Sequence, residues 1–112
     1  MVVYDNRVCD TSVKNNIALD ELDFVQRYDK TGSAVDLHYV EAGVSAFHRQ
    51  ALDSAPAGVW SLEQELFPKL IGQHALAGLR TQQRFYDIGT PDRLAVIEKF
   101  FRNDYHANSS QN

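Results

Sequence analysis

Arg84-Phe85-Tyr86-Asp87-Ile88-Gly89-Thr90-Pro91-Asp92-Arg93-Leu94 is the stretch whose reading decides the fold. Arg84 to Asp87 has the character of a short strand, and Gly89 permits a turn. Thr90-Pro91 then opens a helix, with an N-cap hydroxyl followed by proline at the first helical position. Such a junction implies an α/β chain and places Asp87 at the end of a rigid element, where a carboxylate can do chemistry. The same residues also fit an Asx-type turn, in which Asp87 hydrogen-bonds its own loop and holds no metal.

Working outward, the helix from Pro91 to about Arg102 carries Leu94, Ile97 and Phe101 on one stripe with Phe100 beside it, so its aromatic residues read as core. Residues 105–112 form a polar tail expected to fray. Upstream, Leu76 to Thr81 has β character. Ser61 starts another helix with a capping box to Gln64, and Leu62, Leu66 and Leu70 repeat at the helical spacing that should face a sheet. Pro68 should kink or shorten that helix, because it has no N–H for the ladder. Glu63 and Glu65 sit in the first turn, where the helix dipole favours carboxylates.

The N-terminal part reads as strands. Val2-Val3-Tyr4 is a β-type run, and Cys9 to Asn16 is polar and turn-like. Asn16 to Asp20 and Phe24 to Tyr28 are strands joined by a turn at Asp20 to Asp23, which together make a hairpin. Asp29-Lys30-Thr31-Gly32 closes it with loop-tip residues. Tyr39 to Phe47 reads as a strand with Gly43 inside it, where a glycine marks a bulge or a close backbone approach. His48 to Ala55 is a short helix ended by Pro56 and Gly58.

Composition narrows the class. The chain has 112 residues, 44% of them hydrophobic, and a net charge of -4 with dispersed basic residues, which argues against a nucleic-acid groove. No apolar run reaches the roughly 20 residues that span a bilayer. A single cysteine, Cys9, fits a reducing cytoplasm, and the four histidines show no zinc-like spacing.

Two motifs carry a family resemblance. The Asp87-Ile88-Gly89-Thr90-Pro91 segment resembles the second acidic motif of the sugar-1-phosphate nucleotidyltransferases, the nucleotide-sugar pyrophosphorylases. The Ser61-Leu62-Glu63 to Phe67-Pro68 segment is similar to that family's Ser-Leu/Ile-Glu helix, in the same order and spacing. Tyr28-Asp29-Lys30 and Tyr39-Val40-Glu41-Ala42-Gly43 extend the likeness from about Val2 to Phe101. It covers only the C-terminal part of the family's catalytic domain, which implies a partial domain over residues 1–104. A Gly-x-Gly-Thr-Arg phosphate loop and a first metal-binding aspartate do not occur here, and the six glycines are scattered singly. Met1 is then a late start or a boundary, with the first strand emerging from an absent N-terminal half.

The resemblance implies the C-terminal portion of a Rossmann-like mixed sheet with flanking helices. It also implies a reaction in which a sugar 1-phosphate attacks the α-phosphorus of a nucleoside triphosphate and releases pyrophosphate. Asp87 would be a magnesium (Mg2+) ligand and Lys30 would balance phosphate charge, both as catalytic residues. Asp29, Lys30, Glu41 and Gly43 would line the sugar side. The Asp29-Lys30-Thr31 form, where many members have Glu-Lys-Pro, is similar to the branch acting on heptose or other hexose-type phosphates. The alternative is a non-catalytic α/β binding or assembly module that pairs with a separate N-terminal half or with itself.

Overall fold

The computed structural model describes residues 1–109, with side chains described through Asn103. The chain is a mixed α/β structure: a five-stranded mixed sheet and two helices. The strands are β1 (Val2–Asp5), β2 (Ile17–Leu19), β3 (Val25–Tyr28), β4 (Tyr39–Glu41) and β5 (Leu79–Thr81), in the order β3-β2-β4-β1-β5. Helix α1 spans Phe67–Gly72 and α2 spans Pro91–Ser109.

β1 is the organising strand. It pairs antiparallel with β4, Tyr4 opposite Val40, and parallel with β5, Val3 opposite Arg80. Successive side chains of a strand point to opposite faces, so Val3 and Tyr4, both fully buried, show that both faces of β1 are covered. Val3 joins Ile17, Val25, Tyr39, Leu66, Phe67 and Leu70 in the core beneath α1. Tyr4 meets the ring of Phe85 edge-on from the other side, with centroids 6.2 Å apart. β2 and β3 form the expected hairpin, with a register shift between Ala18 and Leu19.

The strand expected from Tyr39 to Phe47 ends at Glu41. Gly43 lies beyond it with φ +74°, and no protein group would meet a Cβ there, so the glycine answers a backbone requirement rather than a close approach. Ala42 N–H still donates to Val2 and Val2 N–H to Val44, which carries the pairing past the glycine. The helix expected at His48 to Ala55 is a 3-10 turn, Arg49–Leu52, capped by the His48 ring.

Ser61 does cap the next segment, its hydroxyl accepting from Gln64 N–H at 3.2 Å. The turn it starts, Leu62–Leu66, is a wide π turn, and α1 begins at Phe67 with Pro68 in its first turn, where no N–H is required. The wider turn breaks the four-residue repeat. Leu66 and Leu70 are buried as expected, whereas Leu62 is exposed.

The C-terminal stretch departs furthest from expectation. Arg84 to Asp87 joins no strand: after Thr81 the side-chain hydroxyl accepts from Gln83 N–H and the chain leaves the sheet edge. Thr90 caps α2 through Arg93 N–H, but the helix stands off the body and runs past Arg102 to Ser109. Leu94, Phe100 and Phe101 are exposed rather than core. The radius of gyration is 16.9 Å, against about 13 Å for a compact chain of this length. Of the expected polar tail, residues 105–109 continue the helical backbone, and residues 110–112 lie outside the described residues.

Candidate functional site

Two polar clusters contain the residues singled out in the sequence, and they are separate. The first lies where β3 and β4 meet the entry to α1. Lys30 Nζ sits 2.6 Å from Glu63 Oε2, an ion pair between segments 33 residues apart. Tyr28, at the end of β3, turns its hydroxyl toward Glu41 at 3.5 Å, and it also lies within the influence of Glu63. Glu41 is brought there because, with β4 antiparallel to β1, it stands opposite Val3 on the face that α1 covers.

The electrostatics of this cluster follow from its packing. Burial, and then the neighbouring Glu63, push the Glu41 carboxyl above the usual carboxylate range. The hydrogen bond from Lys30 holds Glu63 below that range. Burial, followed by the two carboxylates, raises the Tyr28 phenol. One ammonium thus faces two acids that repel each other. Such an arrangement offers a cation and a hydroxyl to an incoming anion or polyol, at the cost of displacing a carboxylate.

Asp29, expected to face sugar hydroxyls, is turned inward on its own loop. Oδ1 accepts from Thr31 N–H and Oγ1, and Oδ2 from Ser33 N–H, Ser33 Oγ and Ala34 N–H. Those bonds, the Thr31 hydroxyl first, hold its carboxyl far below the ordinary range. Its observed work is to fix the turn from which Lys30 projects. Gly43 follows β4 one residue beyond Ala42 and contributes backbone only.

The second cluster holds Asp87. Its Oδ1 accepts from Gly89 N–H at 2.7 Å, the Asx-type turn, and its Oδ2 pairs with Arg93 Nη1 at 2.5 Å across the first turn of α2. Arg93 also donates to the Ser12 carbonyl at 3.3 Å. The recess beside them, lined by Thr11, Arg84, Tyr86 and Val96, encloses about 20 Å3. Among the described residues no hydrogen bond or ion pair links Asp87 with Lys30 or Glu41.

As arranged, this cluster does not fit a magnesium ion. Magnesium takes near-octahedral oxygen ligands and is held by one or two carboxylates together with substrate phosphates. Here both carboxylate oxygens are engaged, a guanidinium stands against one of them, and no group of three His, Cys, Asp or Glu side chains is poised for a metal among the described residues.

Glu63 lies in the first turn after the Ser61 cap, as expected, and also pairs across the fold with Lys30. Its partner lies 33 residues away, and periodicity carries no trace of it. No helix among the described residues is long and apolar enough to cross a membrane. Neither protein-family models nor curated proteins match the chain.

Proposed function

We propose that this chain supplies the sugar-phosphate side of a sugar-1-phosphate nucleotidyltransferase, built on the C-terminal portion of a Rossmann-like sheet. The observation that carries the reading is the convergence of Tyr28 and Lys30, Glu41, and Glu63 from three sequence-distant segments, each a motif on which the family resemblance rests. A sugar 1-phosphate is both polyol and dianion, and this cluster offers acceptors for the first and an ammonium for the second. The attacking phosphate oxygen is already anionic, so the protein needs no general base of its own. Its task is to bring two polyanions together and offset their charge.

The nucleotide side has to come from elsewhere, because no glycine-rich nest occurs in these 112 residues. The isolated chain is therefore expected to release no pyrophosphate. The test is a panel of sugar 1-phosphates against the four common nucleoside triphosphates, run on the chain with and without a polypeptide that supplies a Gly-x-Gly-Thr-Arg loop. In the active combination, Lys30→Ala raises KM for the sugar phosphate roughly tenfold and leaves that for the nucleotide unchanged. An unchanged sugar-phosphate dependence would return Lys30 to a plain surface turn. Asp87→Asn separates the two clusters: near-normal turnover is expected and would confine Asp87 to its loop, whereas loss of turnover in a folded variant would show that the second cluster takes part in the reaction.

A non-catalytic assembly module is the second reading, favoured by the closed Asp87 cluster and by the position of β5 at the edge of the sheet. Tight pairing with an N-terminal half, with no turnover on any substrate of the panel, would select it. A monodisperse, cooperatively unfolding monomer would instead mark an independent module.

A further inference from the structure

Glu63 is the residue of the first cluster to which the proposed reaction assigns no role of its own, and its place in the first turn after Ser61 does not explain its pairing with Lys30. An ion pair as exposed as this one contributes little to stability, since side-chain entropy and solvent screening offset most of its Coulomb energy. Lys30 is 74% exposed, so holding the fold together is a weak account of the contact. The construction around the pair is nonetheless definite. Lys30 stands on a turn held by five hydrogen bonds to the Asp29 carboxylate, three from backbone N–H groups and two from side-chain hydroxyls. Glu63 stands on a turn fixed by the Ser61 cap and by Pro68 behind it. Two rigid backbones thus present one flexible ammonium to one carboxylate, with Tyr28 and Glu41 alongside.

We propose that Glu63 is a positioning residue that gates Lys30, holding the ammonium in place until a phosphate monoester displaces the carboxylate. The inference rests on the proposed function above, in that the displacing group is the sugar phosphate. Without an anion, Glu63 keeps Lys30 drawn over the β3 and β4 ends. When a phosphate arrives, its oxygens replace the Glu63 carboxylate as acceptors of the Nζ–H bonds, and Glu63 is left facing Glu41. Nothing covalent changes. The gate disfavours weakly charged ligands, because a monoanion exchanges one single charge for another, whereas a dianion gains.

The experiment follows the lysine directly. Lys14, Lys30, Lys69 and Lys99 are the lysines of the chain, so 15N-lysine labelling gives few ammonium signals to assign by substitution. Inorganic phosphate and a hexose 1-phosphate are titrated into the full chain and into Glu63→Gln, with Glu63→Asp, which retracts the carboxylate by one methylene, as the intermediate case. Far-ultraviolet circular dichroism checks that each variant is folded. The expected result is a saturable shift of the Lys30 signal in every form. Affinity should be about two- to fivefold tighter in Glu63→Gln than in the unaltered chain, with Glu63→Asp between them. If phosphate moves Lys30 but Glu63→Gln binds no tighter, the gate is overturned while the sugar-phosphate reading stands. If phosphate leaves Lys30 unmoved in all three proteins, the reading itself fails and the gate with it.

Discussion

The sheet with α1, up to Thr81, and the stretch that follows it are built on opposite terms. In the first, Val3, Ile17 and Val40 are wholly withdrawn from water and Phe67 is 2% exposed. In the second, Phe101 is 64% exposed and Leu94 and Val96 also face solvent. The body is held by cross-strand pairs and by apolar contact with one short helix. The arm is attached by Phe85 against Tyr4 and by Arg93, which reaches the Ser12 carbonyl. Helical propensity and a good N-cap are enough to write α2 into the chain, but burial requires a surface to pack on. Propensity and packing are separate requirements, and the arm meets only the first.

Phe67→Ala breaks this contrast most severely. The ring meets Tyr28 at 5.3 Å and Phe47 at 6.3 Å, and it roofs the centre of the α1 face. Removing it leaves a cavity costing about 3–5 kcal/mol, a large share of the roughly 5–15 kcal/mol that stabilises a domain. Urea unfolding should show a midpoint shifted far downward or a chain already unfolded in buffer. A shift comparable to that of an arm residue would mean that the body and arm do not differ as described.

The polar rim of the body gives an intermediate effect, and its sign follows from the buried carboxyl. Glu41 has a folded-state pKa above its unfolded value of 4.5, because burial and Glu63 disfavour its charge. The folded chain therefore binds more protons than the unfolded chain between those two values, and stability falls as pH rises through that window. Glu41→Gln removes the penalty while keeping an acceptor for Tyr28. The variant should melt at a higher temperature than the unaltered chain at neutral pH, and the two should converge as pH drops toward 4.5. Parallel curves across that range would place Glu41 in solvent.

How much of this could be read from residues alone depends on whether the deciding interaction was local. The β2–β3 hairpin, the Ser61 cap and the Thr90-Pro91 helix start were legible, because each is encoded within about five residues by alternation, a hydroxyl or a proline. Arg84 to Asp87 has strand composition yet forms no strand, since after Thr81 the chain turns away from the sheet and leaves the segment without a pairing partner, which no local pattern records. Leu62 escaped because the π turn shifted the helical phase ahead of Pro68. At the candidate site, the motifs name Lys30 and Glu41 but not their proximity, and the Asx-type turn at Asp87 is one of the two conformations its local sequence allows. The 33-residue link from Lys30 to Glu63, which joins the motifs into a cluster, belongs to the tertiary fold.

Phe101→Ser sharpens the comparison from its weak end. The side chain stacks only against its helical neighbour Phe100, at 5.6 Å, and most of its surface already faces water. Replacing it removes little buried area, so the chain's unfolding free energy should change by no more than about 0.5 kcal/mol. Solubility is the more sensitive readout, because exposed apolar side chains on one helix promote association. If sedimentation shows the unaltered chain associating and Phe101→Ser monomeric at the same concentration, the arm's apolar face is a contact surface whose counterpart lies on another polypeptide. If the substitution instead costs as much as Phe67→Ala, α2 packs in solution against the body, and the arm is the second layer that the stripe Leu94, Ile97 and Phe101 first implied.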